Sequence, residues 1–225
     1  MSRISLSPLG AAAALCLLLA ACSSNAPVLP SQIASAPDMA ANTEGDTARQ
    51  PFRTAAMPDW RDYSGLIIDP VVIYRGTDAQ FDDMSENDQA ELAQYMQRRF
   101  AATLGQRFTL RDRPAPGTLR LRLTLTGATG NTPFLAPVTR IDLSGGLYNL
   151  VQTTRGHEGS FSGDVTYAVE IFDASSGQLL GAWVTRQYPT PFNISATFGR
   201  LAAAKTGIDK GSDALLDAAR QPGKS

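Results

Sequence analysis

The residue types that could do chemistry are few in this chain, which has two cysteines and one histidine. The histidine lies in Arg155-Gly156-His157-Glu158-Gly159. As a general base, His157 would need a nucleophile and an acid to orient it. Glu158 and Ser160 are close in sequence, but neighbouring side chains in a glycine-rich loop have no reason to converge. Phe161 stands where a nucleophile elbow needs serine. With one histidine and no cysteine nearby, a zinc site lacks ligands. We therefore expect no enzyme activity, no metal and no cofactor.

Both cysteines lie near the N-terminus, in and after an apolar run. Arg3 precedes this run of residues 11–19, and Leu19-Ala20-Ala21-Cys22 ends it. Ala20 and Ala21 are the small residues that a signal peptidase accepts before its cleavage site. The segment resembles a bacterial lipobox, which implies cleavage before Cys22 and acylation of Cys22 with fatty acids such as palmitate. We predict a signal peptide over residues 1–21 and a membrane partner reached through the lipid on Cys22.

Two other interpretations of this N-terminus remain open, an ordinary secretory signal and an uncleaved anchor. The apolar run is shorter than the ~20 residues that cross a bilayer, which disfavours the anchor. Ser23, and not aspartate, follows Cys22. In Gram-negative sorting this favours the outer membrane, with the domain facing the periplasm. Cleavage would remove Cys16 and leave acylated Cys22 as the only cysteine, so the folded part would have no disulfide.

The charge balance excludes one class of partner. The formal net charge is −1, and loss of Arg3 with the signal makes it about −2. There is no basic excess to neutralise phosphates, so we expect no nucleic-acid binding. An acidic cluster over residues 82–88 could suggest calcium, but acids before a helix are explained better by its N-terminal dipole.

Three regions follow from composition. Residues 1–21 form the signal peptide, residues 22–59 a lipidated cysteine with a flexible tether rich in Ala, Ser and Pro, and residues 60–220 a globular domain. A coil of this tether's length would have an r.m.s. span of roughly 33 Å. The alternative is that part of the segment packs on the domain, with Phe52 and Trp60 as the candidates.

Hydrophobic periodicity predicts the elements of the domain. We expect a strand over residues 66–74, a helix from Ser85 to Gly105, a short strand at 108–110 and an alternating strand over 118–126. A hairpin follows at 165–172 and 179–186, and then a C-terminal helix that Gly207 and Gly211 weaken and Ser212 restarts. The fold class is α+β: a mixed or antiparallel sheet of about five strands, order β-α-β-β-β-β-α, with the helices on one face.

Two surfaces are candidates for binding. Arg120 and Arg122 would lie side by side on the wet face of their strand, to bind an anion or to pair with acidic neighbours. The segment 127–163 is apolar among Gly and Pro, and Phe134, Leu135 and Tyr148 would belong to a hairpin of the fold or to a docking loop.

Three ordered segments resemble a family of bacterial lipoproteins called domain of unknown function 3313. They are Asp59-Trp60-Arg61-Asp62-Tyr63 running into Ile67-Ile68-Asp69-Pro70-Val71, Pro116-Gly117-Thr118-Leu119-Arg120-Leu121-Arg122, and Asp173-Ala174-Ser175-Ser176-Gly177-Gln178-Leu179-Leu180. The resemblance implies an envelope lipoprotein and transfers no catalytic residue. We expect a membrane-anchored, non-enzymatic module that binds an envelope protein or polymer. The alternative is a periplasmic hydrolase or a small-ligand or glycan binder that uses His157 and the 127–163 region.

Overall fold

The computed structural model describes residues 27–130, 163–189 and 199–221. Within these ranges the chain forms a mixed sheet and two long helices, so the predicted α+β class is confirmed. The elements are β1 (Ala40–Ala41), β2 (Phe52–Arg53), β3 (Gly65–Ile68), β4 (Val72–Ile73), α1 (Glu86–Leu104), β5 (Thr109–Leu110), β6 (Thr118–Ala128), β7 (Val165–Asp173), β8 (Leu179–Gln187) and α2 (Ala202–Arg220).

The sheet has eight strands in the described residues, against the five or so that were predicted, in the order β1-β2-β8-β7-β6-β3-β5, with β4 pairing separately to β6. β3, β4 and β5 are the parallel members, whereas β6, β7, β8, β2 and β1 pair antiparallel in turn. The additional strands are two-residue pieces, too short to show alternation. The predicted strand 66–74 is split at Pro70, which has no N–H for the ladder. After the break, the backbone N–H of Val71 donates to Gln97 Oε1 of α1 at 2.9 Å.

The main core lies between the sheet and the two helices. The alternating leucines of β6 and the odd-numbered apolar residues of β7 point toward α1 and α2. The predicted helix is confirmed: Ser85 caps α1 by accepting from the backbone N–H of Asp88 at 3.2 Å, and Gly105 ends it. Leu92, Met96 and Phe100 are its buried stripe.

The C-terminal helix is continuous, which corrects the prediction that it weakens and restarts. Ser212 lies inside α2 and donates to the backbone carbonyl of Asp209 at 2.8 Å. Gly207 and Gly211 are where the helix approaches the sheet. A Cβ on Gly211 would lie 1.7 Å from the Tyr167 hydroxyl, and one on Gly207 would lie 2.8 Å from Val165 Cγ1. The glycines therefore permit close packing of α2 on β7 and β8.

Residues 27–59 pack on the domain, so the prediction of a flexible tether is wrong over this range. Ile33 and Met39 are buried against the sheet face opposite the helices, together with Ala168 and Val184. The chain then reaches the sheet edge, where β2 pairs with β8. This packing was the alternative interpretation, and it includes Phe52, in β2, and the buried Trp60.

Candidate functional site

Arg120 and Arg122 lie side by side on the sheet face opposite the helices, as the alternation of β6 predicts. Each already has an acidic neighbour. Arg120 Nη1 lies 3.4 Å from Asp69 Oδ1, and Arg122 Nε lies 3.8 Å from Asp69 Oδ2. The Arg122 guanidinium also lies 5.1 Å from the centroid of the Phe172 ring, within cation–π range. The geometry therefore gives both arginines the pairing that the sequence left as the alternative to anion binding.

Behind these arginines, Glu170 is buried in the middle of the same face, with 1% of its surface exposed. Its Oε1 accepts from the backbone N–H of Ser35 at 3.1 Å, and its Oε2 lies 4.0 Å from Arg122 Nη1. A buried carboxylate is costly unless it is paired and hydrogen-bonded. Glu170 thus joins the segment of residues 27–41 to the sheet through the hydrogen bond from Ser35, while its charge faces Arg122 on the neighbouring strand β6.

A cleft of about 270 Å³ opens on the helix side of the sheet, at the β8 edge. We call it the edge cleft. It lies between the 46–57 segment, the strands β7 and β8, and α2. The described residues that line it are Asp46, Arg49, Gln50, Met57, Tyr167, Trp183, Thr185, Gln187, Gly211, Ala214, Leu215 and Ala218.

The polar side of the edge cleft is built around Arg49. Its Nη1 donates to Gln187 Oε1 at 3.1 Å, and its Nε lies 3.3 Å from Asp46 Oδ2. The guanidinium carbon lies 4.0 Å from the centroid of the Tyr188 ring. The backbone carbonyl of Arg49 accepts from Arg186 N at 2.8 Å and from Thr185 Oγ1 at 2.9 Å, which fixes the 46–50 turn on β8. The Arg49 guanidinium is therefore held at the rim by both its neighbours and its own backbone.

The apolar side is aromatic. Tyr167 is 1% exposed and Trp183 is 9% exposed, and both line the edge cleft. Burial raises the pKa of the Tyr167 hydroxyl well above its usual value, so this group is neutral at physiological pH. Beside the cleft, burial first and the Arg49 charge second lower the pKa of the Lys210 amine, whose Nζ donates to the Tyr188 carbonyl at 3.4 Å.

The other residues that the sequence singled out lie outside the described ranges. They are Leu19, Ala20, Ala21, Cys22, Phe134, Leu135, Tyr148 and His157. Across residues 27–130, 163–189 and 199–221, no group of three or more His, Cys, Asp or Glu side chains is placed to hold a metal ion. Neither described helix is long and apolar enough to cross a membrane.

Sequence reasoning missed the edge cleft. Its residues come from segments more than a hundred positions apart, and Arg49 lies in a stretch whose composition resembles a linker. One signal was present in the sequence: Gly207 and Gly211 are four residues apart and so share one helix face. That face is where α2 meets β7 and β8, next to the cleft.

Fold and cleft together define an α+β domain with helices on one sheet face, an N-terminal segment on the other, and a cleft of mixed polarity at the edge. The chain belongs to the family described as protein of unknown function DUF3313, which matches residues 30–215. The match begins inside the 27–59 segment, in agreement with its packing on the domain. The family predicted from the sequence is thus confirmed.

Comparisons with solved structures give distant similarities. The PelC dodecamer from Paraburkholderia phytofirmans has a TM-score of 0.37 and 11% identity, covering 72% of this chain and 94% of that one. The hypothetical protein CT253 from Chlamydia trachomatis has a TM-score of 0.33 and 9% identity, covering 69% and 94%. A Caulobacter crescentus protein described as a "putative lipoprotein" has a TM-score of 0.27 and 12% identity, covering 67% and 82%. A sequence search of curated proteins found no match.

Proposed function

We propose that the protein is a lipid-anchored, non-enzymatic binding module of the bacterial envelope, attached to the outer membrane through acylated Cys22 and facing the periplasm. Its partners are the bilayer and an envelope protein or polymer. The observation that carries the proposal is that the chain is already packed on the domain at residues 27–41. The anchor would therefore hold a folded binding domain at the membrane surface.

The attachment of residues 27–41 rests on several hydrogen bonds from their backbone. Ser31 N donates to Asp78 Oδ2 at 2.9 Å, and Gln32 N donates to the Tyr74 hydroxyl at 3.2 Å. Tyr74 in turn donates to Asp78 Oδ1 at 2.6 Å, and this bond is the main cause that lowers the pKa of Asp78. With the bond from Ser35 to Glu170, these contacts tie the segment to the sheet.

The distance from the lipid follows from chain geometry. From Cys22 to Pro27 there are 27 − 22 = 5 residue steps. An extended chain covers at most ~3.6 Å per residue, so Pro27 lies within ~18 Å of the acylated cysteine. A flexible 37-residue tether would have allowed a far longer reach. The protein would thus be a module that binds its partner close to the membrane.

Metabolic labelling of cells with a palmitate analogue tests the anchor. The wild-type protein and a Cys16→Ser variant should both incorporate the label, since Cys16 lies in the part that cleavage removes. A Cys22→Ser variant should not. Label on Cys22→Ser, or none on the wild type, would overturn the proposal.

The proposal that the protein binds a partner without acting as an enzyme is tested with a His157→Ala variant. After crosslinking in membranes, the variant should retain the same envelope component that co-purifies with the wild type. Loss of that component in the variant would favour the alternative role in which His157 acts on a ligand.

A further inference from the structure

Two polar groups on the aromatic side of the edge cleft make no hydrogen bond to the described residues. The Tyr167 hydroxyl, on a side chain that is 1% exposed, makes no hydrogen bond to any of them. The indole N–H of Trp183 likewise makes none within these ranges. Neither group is a fully enclosed polar atom, so each has access to the cleft and can hydrogen-bond with what occupies it. The cleft therefore offers a ligand one hydrogen-bond donor, the Trp183 indole N–H, and one group that both donates and accepts, the Tyr167 hydroxyl.

Arg49 adds a charged donor to this set. A guanidinium has five N–H donors, and the only side-chain hydrogen bond of Arg49 to a described residue comes from Nη1. Its acidic partner, Asp46, is largely solvent-exposed, with 58% of its side chain accessible. Among the described residues that line the cleft, Arg49 is the one cation and Asp46 the one carboxylate. An anionic group of a ligand would therefore bind the N–H donors of Arg49 that Gln187 and Asp46 do not use.

The ligand class follows from the shape and these groups. A volume of about 270 Å³ is close to the lower limit of ~300 Å³ for small-molecule pockets, so it holds a single small ring. Trp183 and Met57 offer an apolar surface, while the amides of Gln50 and Gln187 and the Arg49 guanidinium offer polar contacts along the rim. A ring with one apolar face, several hydroxyls and one negative charge satisfies all of them.

We propose that the edge cleft binds a single saccharide unit that carries a carboxylate, with Arg49 on the carboxylate, Trp183 against the ring and the Tyr167 hydroxyl on a ring hydroxyl. Saccharide binding does not require acylation of Cys22, so the result for this site is independent of the result for the proposed anchor.

Fluorine NMR of the full-length protein labelled with fluorotryptophan tests the site, because the chain has two tryptophans. Trp183 lines the cleft, whereas Trp60 lies beside Phe108 in the core and serves as the internal control. Glucuronate should shift the Trp183 signal saturably and leave the Trp60 signal in place. Glucose should bind at least tenfold more weakly, because it lacks the carboxylate.

Two variants and one control separate the contributions. Arg49→Gln should weaken glucuronate binding at least tenfold and bring it near the affinity for glucose. Tyr167→Phe should weaken both sugars by a similar factor, since only a hydroxyl is lost. Arg53→Gln is the matched control, because Arg53 lies on neighbouring β2, pairs with Glu44 at 2.8 Å and does not line the cleft.

Three outcomes would overturn the proposal. One is the absence of any shift in the Trp183 fluorine signal when either sugar is added up to its solubility limit. Another is equal affinity for glucose and glucuronate. The third is unchanged glucuronate binding in both Arg49→Gln and Tyr167→Phe, each shown to be folded by circular dichroism.

Discussion

Substitution of Gly211 tests how closely α2 packs on the sheet, where the helix forms one wall of the edge cleft. In Gly211→Ala, the new Cβ would lie 1.7 Å from the Tyr167 hydroxyl oxygen and 3.0 Å from Tyr167 Cζ. Alanine in a helix interior is favoured over glycine by up to ~1 kcal/mol, and overpacking a buried site costs ~1–3 kcal/mol. Tyr167 is fully buried and packs edge-on against Phe100 at 6.0 Å between centroids, so it has little room to move. With overpacking near its upper limit, we expect a net loss of about 2 kcal/mol of unfolding free energy.

A second substitution, Tyr167→Phe, shows whether the clash with the Tyr167 hydroxyl causes the loss of stability. In a Tyr167→Phe background the hydroxyl is absent, and the remaining contact at 3.0 Å needs a shift of only a few tenths of an ångström. Gly211→Ala should then be nearly neutral, which gives a coupling free energy of about 2 kcal/mol in a double-mutant cycle. Urea unfolding followed by circular dichroism measures all four proteins, with the m-value unchanged.

Asp217→Ala, on the exposed face of the same helix, is the control for helix propensity and should change stability by less than ~0.5 kcal/mol. If Gly211→Ala stabilises the wild type, or destabilises it equally in both backgrounds, the close approach of α2 to Tyr167 is wrong.

Two further predictions concern carboxylates. Glu170→Ala would leave the buried Ser35 N–H without its acceptor and Arg122 without one charge, so we expect a loss of about 2–3 kcal/mol in urea unfolding and faster amide exchange at Ser35. Glu170→Gln keeps an acceptor oxygen and should retain most of that stability; equal losses in both variants would contradict the assigned contact. At Asp59, the Arg61 side-chain hydrogen bond is the main cause that lowers the pKa from 3.8 to about 2. Because the folded-state pKa is the lower one, the stabilisation from Asp59 is present above pH ~4 and is lost as the pH falls toward ~2. An NMR titration of the Asp59 carboxyl should show a midpoint near 2, and a midpoint near 3.8 would refute the contact with Arg61.

The sequence predicted those parts of the fold that depend on local pattern. The leucines of β6 alternate over enough residues to fix its buried face, and Ser85 with the apolar spacing of α1 fixes a capped helix. The placement of Arg120 beside Arg122 also followed from a period of two. The acids that face these arginines, Asp69 and Glu170, come from distant segments and could not be placed by periodicity.

What the sequence could not show was long-range packing. Residues 27–59 have a linker's composition, and only the sheet supplies the apolar surface that orders Ile33 and Met39. Gly207 and Gly211 lower helix propensity by themselves, but in the folded state they let α2 approach β7. The edge cleft depends on both of these features, so its residues were not recognisable as a group.

The central claim, a folded domain held next to the membrane by acylated Cys22, can be tested by a distance comparison. Thr77 and Gln178 are both exposed and lie toward opposite ends of β6. Thr77 precedes Asp78, which accepts from Ser31 N, and the nearby Gln80 bridges to Gly127. The β7–β8 turn at Gln178 lies instead near Leu119. About eight residues of strand at ~3.3 Å each separate these ends by roughly 26 Å.

A fluorophore on Thr77→Cys or Gln178→Cys, in the lipidated protein bound to vesicles, would report this distance through quenching by spin-labelled lipid headgroups. A domain held next to the membrane should show strong quenching at position 77 and weak quenching at position 178. Equal, weak quenching at both positions would contradict it, because it would place the domain on a long tether away from the membrane.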